Sequence, residues 1–142
     1  MSDRVFLDTN VFVYAAGSEG GVKENIADQL IGQAITGGKG VVSYQVIQEF
    51  FNVALKKFSA PFTVEQAQRF LSVTFRPMLV VPPSFGLCSE ALTIHSRFKT
   101  SWYDSLILAA ASEAECSILY TEDMRHGMKI GTVRIENPFR SN

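Results

Sequence analysis

Short apolar runs rich in β formers alternate with longer stretches of helical periodicity, and this alternation restricts the chain to few folds. Arg4-Val5-Phe6-Leu7-Asp8, Val41-Val42-Ser43, Met78-Leu79-Val80-Val81, Ser117-Ile118-Leu119-Tyr120 and Thr132-Val133-Arg134-Ile135 each read as a buried strand. Between them, Lys23 to Thr36 carries apolar residues at Ile26, Ala27, Leu30, Ile31, Ala34 and Ile35, one helix face, and stops at Gly37-Gly38. Tyr44 to Phe58, Ser84 to Phe98 and Trp102 to Ala114 read as further helices. Thr63-Val64-Glu65-Gln66 has the spacing of a capping box and opens another helix, running towards Phe75 before Pro77. Parallel strands need crossovers, and both faces of a parallel sheet must be covered, so the pattern predicts an α/β domain with a mainly parallel sheet.

At 142 residues the chain is of single-domain size, and no repeat, linker or like-charge block divides it, so one domain over 1–142 is expected. Hydrophobic residues make up 46% and charged residues 19%, which excludes wholesale disorder. The longest aliphatic run, Leu106 to Ala111, is far short of a bilayer span, and no signal-peptide pattern precedes Val5, so a cytoplasmic protein without membrane contact is expected. Cys88 and Cys116 lack zinc-site spacing and are expected as buried thiols. Thirteen Lys and Arg against fourteen Asp and Glu give a net charge of −1, no bulk signature of a nucleic-acid binder. If several acids were neutralised in one metal pocket, the remaining surface would be more basic than this total.

Four carboxylates fall at informative positions. Asp8 ends the first strand, at the sheet edge where α/β folds bind ligands, although it also suits a cap for the following helix. Glu49 shares a helical stripe with Val46, Phe50 and Val53; a charged carboxylate buried there needs a partner or a cation, whereas one at the stripe boundary would simply be solvated. Asp104 precedes Ile107, Leu108 and Ala111 on an apolar helix and also completes a capping-box spacing with Ser101. Asp123 lies just past the last residues of another strand, in Thr121-Glu122-Asp123, and is favoured over Glu122 because Thr121 and Asp123, two apart, share a direction. Two carboxylates ~4 Å apart repel by about 1 kcal/mol in water and ~4 kcal/mol at an effective dielectric of 20. A divalent cation removes that cost, and an all-oxygen donor set suits Mg²⁺ or Mn²⁺ rather than zinc or copper.

Val5-Phe6-Leu7-Asp8-Thr9-Asn10, Ser43 to Phe50, Trp102 to Ala111 and Tyr120-Thr121-Glu122-Asp123-Met124 resemble the four motifs of PIN-domain ribonucleases. The tail Gly131 to Phe139 is similar to that of small bacterial VapC-type toxins. The resemblance covers nearly the whole chain in order, Ser59 to Pro83 excepted. It implies a three-layer α/β/α sandwich and a Mg²⁺- or Mn²⁺-dependent RNA endonuclease, the toxin half of a toxin–antitoxin pair. It further implies Asp8, Glu49, Asp104 and Asp123 as catalytic metal ligands, Asn10 and Thr121 as polar supports, a homodimer, and a cognate antitoxin.

RNA binding needs cations near the acids, and Lys56, Lys57, Arg97, Lys99, Arg125 and Lys129 flank the motifs, although each reads more readily as a merely solvated charge. His126 reads as a loop histidine within reach of a phosphate, and His95 as structural. Eleven phenylalanines are more than so small a domain easily hides, which predicts an apolar partner surface unless the core absorbs them. Two rival functions remain. A phosphoacceptor domain of haloacid type wants Asp-x-Asp after the first strand, where Asn10 stands; a catalytically silent PIN-like RNA-binding or scaffold protein would be marked by a lost acid, and none is lost.

Overall fold

The computed structural model describes residues 3–17 and 20–140. Within them a six-stranded sheet has the order β3-β2-β1-β4-β6-β5, formed by β1 (Val5–Leu7), β2 (Gly40–Ser43), β3 (Leu79–Val81), β4 (Ile118–Tyr120), β5 (Lys129–Ile130) and β6 (Val133–Glu136). All neighbours run parallel except β5 and β6. The helices are α1 (Thr9–Ala16), α2 (Val22–Gly37), α3 (Tyr44–Lys56), α4 (Val64–Phe70), α5 (Phe85–Phe98) and α6 (Trp102–Glu113). The mainly parallel sheet is the one expected of the alternation, and the arrangement is the three-layer α/β/α sandwich that the family resemblance implies. Only β5, two residues long, was not foreshadowed, because a run that short has no period to read.

Local chemistry accounts for the boundaries. Gly38 ends α2 in the left-handed region at φ 66°, and its N–H reaches back to the carbonyls of Ala34 and Ile35. Gly40 is required for contact: a Cβ there would sit 2.9 Å from that of Ala34, so its absence lets α2 close onto β2. The capping box forms at Thr63 and Gln66 in both directions, but the helix it opens is α-helical only to Phe70 and continues as a π-helical turn over Leu71–Phe75.

The phenylalanine surplus is largely absorbed. Phe6, Phe12, Phe50 and Phe75 are fully buried, and Phe51, Phe58, Phe62, Phe70, Phe98 and Phe139 pack partly buried against the core. Phe50 is the hub, stacked on Phe70 at 4.4 Å between ring centroids and edge-on to Phe51, Phe58, Phe62 and Phe75. Only Phe85, 96% exposed, stands outside, so the expectation of an apolar surface built from phenylalanines is corrected. The cysteine expectation is half right: Cys116 is buried, with burial pushing its thiol up to about 12, but Cys88 is exposed. No described helix is long and apolar enough to cross a membrane.

Candidate metal centre and substrate groove

After β1 the chain goes to β2 on one side, and later returns to β4 on the other, so the topological switch point lies between the carboxyl ends of β1 and β4. Asp8 follows β1 and Thr121 follows β4, and since Leu7 pairs with Tyr120, these next residues meet. The Thr121 hydroxyl donates to Asp8 Oδ2 at 2.8 Å, and the backbone N–H of Thr9 donates to Asp8 Oδ1 at 2.7 Å. Asp8 is thus the N-cap of α1, as its cap reading expected, and is also a buried carboxylate, 6% exposed, at the sheet edge.

The other acids converge on the same edge. Glu49, half-buried on α3, accepts from the Thr9 hydroxyl at 2.8 Å and from Gln45 Nε2 at 3.4 Å. Asn10 Nδ2 donates to Asp123 Oδ2 at 3.0 Å and Thr121 Oγ1 at 3.3 Å, while its Oδ1 accepts from the Glu122 N–H. Asp123 N–H in turn donates to Thr121 Oγ1 at 3.1 Å. Asp104 sits in the first turn of α6, where Ser101 is the N-cap and accepts from the Asp104 N–H at 3.2 Å. Gln45 also donates to the Tyr103 carbonyl, tying the start of α6 to α3.

Glu122 is drawn elsewhere. It pairs with Lys23 at 2.6 Å and accepts from the Tyr14 hydroxyl, so salt bridge and hydrogen bond hold it against α1 and α2. Those contacts keep its carboxyl below the ordinary range despite its partial burial. Thr121 and Asp123 thus face Asp8 and Asn10, whereas Glu122 faces Lys23 and Tyr14.

Electrostatics registers the convergence. Burial pushes the Asp8 carboxyl up to about 6, with its two hydrogen bonds opposing and the charges of Glu49 and Asp123 adding to the rise. Asp104 is also raised, first by burial and then by Asp123 and Glu49, against the Ser101 hydrogen bond. No Lys, Arg or His forms an ion pair with any of the four among the described residues. This set fits a hard divalent cation: every donor is oxygen, and the charge is otherwise uncompensated. Among the described residues no three acid, histidine or cysteine side chains stand grouped closely enough to hold an ion by themselves.

A groove of about 470 Å³ opens beside the acids, lined by Thr9, Asn10, Glu49, Asn52, Lys57 and Asp123 among others. Lys57 is the one cation on its wall; Lys56, its neighbour, is not, and neither are Lys99, Arg125 and Lys129. Arg97 lies over the Phe98 ring and lines a separate cavity with Glu90 and Ile130. Of the six cations that flank the motifs, Lys57 alone lines this groove, and the solvated reading holds for the others. His126 accepts from the Asn137 N–H at its Nδ1, and His95 Nδ1 bonds the Thr100 carbonyl, a structural role as expected. Sequence reasoning missed Gln45 as an orienter of Glu49; its position one turn before Glu49 on α3 was the available signal.

The PIN domain family profile matches residues 5–127, and the chain belongs to that family. No curated protein matches the sequence. Among solved structures, a toxin–antitoxin complex from Klebsiella pneumoniae is similar at TM-score 0.69 and 18% identity, covering 96% of this chain and 99% of that one. VapBC2 from Rickettsia felis, bound to a DNA fragment from its promoter, is similar at TM-score 0.68 and 17% identity, over 94% and 97% of the two chains. VapC20 of Mycobacterium tuberculosis, a sarcin-ricin loop cleaving toxin, is similar at TM-score 0.61 and 18% identity, over 84% and 91%. At such identities the likeness establishes the shared fold.

Proposed function

We propose that this PIN domain is a divalent-metal-dependent endoribonuclease and the toxin half of a toxin–antitoxin pair. One observation carries the reading: four acids from four distant segments, Asp8, Glu49, Asp104 and Asp123, lie within electrostatic reach at one sheet edge with no cation among the described residues paired to them. In this reading the four carboxylates hold Mg²⁺ or Mn²⁺. The ion, when bound, supplies an activated water and charge stabilisation for an in-line displacement at phosphorus. Thr121 and the Thr9 N–H fix the Asp8 carboxylate, Thr9 and Gln45 fix Glu49, and Asn10 fixes Asp123, so the acids are oriented before substrate arrives. Lys57 offsets phosphate charge along the groove. The products are a 5′-phosphate and a 3′-hydroxyl.

The toxin role draws on the similar structures, one a toxin–antitoxin complex by description, one a VapBC assembly bound to its promoter DNA and one a sarcin-ricin loop cleaving toxin. A cognate antitoxin and a homodimer belong to the same reading, as does a single domain over 1–142. The alternative, a silent RNA-binding or scaffold PIN protein, is disfavoured because no acid is missing. The test is cleavage of total cellular RNA by the purified chain in Mg²⁺. Cleavage with 5′-phosphate ends, lost in Asp8→Asn and in Asp104→Asn while circular dichroism stays unchanged, is expected. Equal cleavage by either variant would overturn the mechanism.

A further inference from the structure

The acid-lined groove does not end at Lys57. A second cavity, about 240 Å³, continues from it, and the two share Val13, Tyr14, Val53 and Lys57 as common wall. Past that wall the lining changes character: Phe58 adds an aromatic surface to Val13 and Val53, and Glu24 brings a carboxylate. From the acids outward the order is therefore charge for a metal, one ammonium, an apolar slot, and a hydrogen-bond acceptor. Lys57 is exposed and makes no ion pair among the described residues, and Glu24, in the first turn of α2, forms no salt bridge there either. Both charges are available to a ligand.

Resting on the nuclease reading, we propose that this second cavity is a base-reading subsite for the nucleotide flanking the scissile phosphate. Lys57 takes that nucleotide's phosphate, Val13, Val53 and Phe58 sandwich its base, and Glu24 accepts from an N–H of the base. A planar apolar ring with a polar edge fits such a slot, and a single-stranded base presents its face for stacking and its edge for hydrogen bonds. The volume, below the ~300 Å³ at which drug-sized pockets begin, suits one base rather than several. A carboxylate has only acceptors, so it favours bases with an exocyclic amine, cytosine, adenine or guanine, over uracil, whose N3–H lies between two carbonyl oxygens that the carboxylate repels.

The experiment uses short single-stranded RNAs differing only in the base beside the cleavage position. The full chain carrying Asp8→Asn, in Mg²⁺, measures binding without hydrolysis, and the wild-type chain measures cleavage in parallel. A preference of ~10-fold for amine-bearing bases over uracil is expected, flattened by Glu24→Gln, whose amide also donates to O4. Lys57→Gln should reduce the slope of log affinity against log salt by about 0.7, one phosphate's share on a single strand, whereas Lys56→Gln on the next position should not. Cleavage without base preference, or equal slopes for the two lysine variants, overturns the subsite while leaving the nuclease reading intact. Preference in binding with no cleavage by any chain upholds the subsite and overturns the nuclease instead. Unchanged RNA binding in all variants, with loss only of affinity for a protein partner, would assign the cavity to a polypeptide and overturn the proposal.

Discussion

Replacing Asp8 by Asn should stabilise the metal-free protein at neutral pH, and should do the reverse in acid. In the unfolded chain this carboxyl titrates near 3.8, but in the fold burial, with Glu49 and Asp123 nearby, pushes it up to about 6. Between those values the folded state holds a proton that the unfolded chain has released, so stability falls as pH rises from about 4 to about 6 and stays low above that. At ~1.36 kcal/mol per tenfold, the gap corresponds to about 3 kcal/mol at pH 7. With the side chain 6% exposed, solvent screening takes little of this away.

An amide mimics the protonated acid in shape and charge, so Asn recovers most of that amount. It brings a second hydrogen, however. Thr121 Oγ1 already accepts from Asp123 N–H and Asn10 Nδ2, leaving no lone pair for a further donor, and an unsatisfied buried N–H costs about 1 kcal/mol or more. The net expectation is about 2 kcal/mol of stabilisation at pH 7, or ~6–8 °C in Tm for a domain of this size, and about 1 kcal/mol of destabilisation at pH 4. Thermal unfolding of both proteins in EDTA from pH 4 to pH 8 reads the difference directly. A variant no more stable than wild type at pH 7, or a difference that does not change with pH, would refute the claim that the fold stores electrostatic strain at this carboxylate.

Mg²⁺ or Mn²⁺ should raise the Tm of the wild-type chain, by the equivalent of ~2.7 kcal/mol at a hundredfold excess over Kd, and raise that of Asp8→Asn much less. Equal shifts measured by scanning fluorimetry would place the ion elsewhere. Phe50→Ala should cost about 3–5 kcal/mol in urea unfolding, because its ring meets six others and the cavity has no side chain free to fill it. A loss under 1 kcal/mol would mean that the aromatic cluster repacks around the gap.

Each site acid was legible through its own neighbourhood: Asp8 and Asp123 through the strands they follow, Asp104 through its cap spacing, Glu49 through the apolar stripe it interrupts. Which cation joins them was not. Lys56 and Lys57 are adjacent at the end of α3, where one residue's turn of ~100° decides which of them meets the groove, and the fading helical pattern there cannot choose. The phenylalanines misled for a related reason. A count says how much aromatic surface exists, whereas Phe50, Phe62, Phe70 and Phe75 hide one another through contacts between segments that no local period links. The deepest dependence is on register. Asp8 meets Thr121 only because β1 and β4 align Leu7 with Tyr120. A slip of one residue would turn every side chain of β1, and Asp8 with them, to the other layer of the sandwich. The packing of Phe6 and Leu119, both wholly buried, therefore fixes the partner that Asp8 finds across the switch point, so apolar core residues set the geometry of the candidate site.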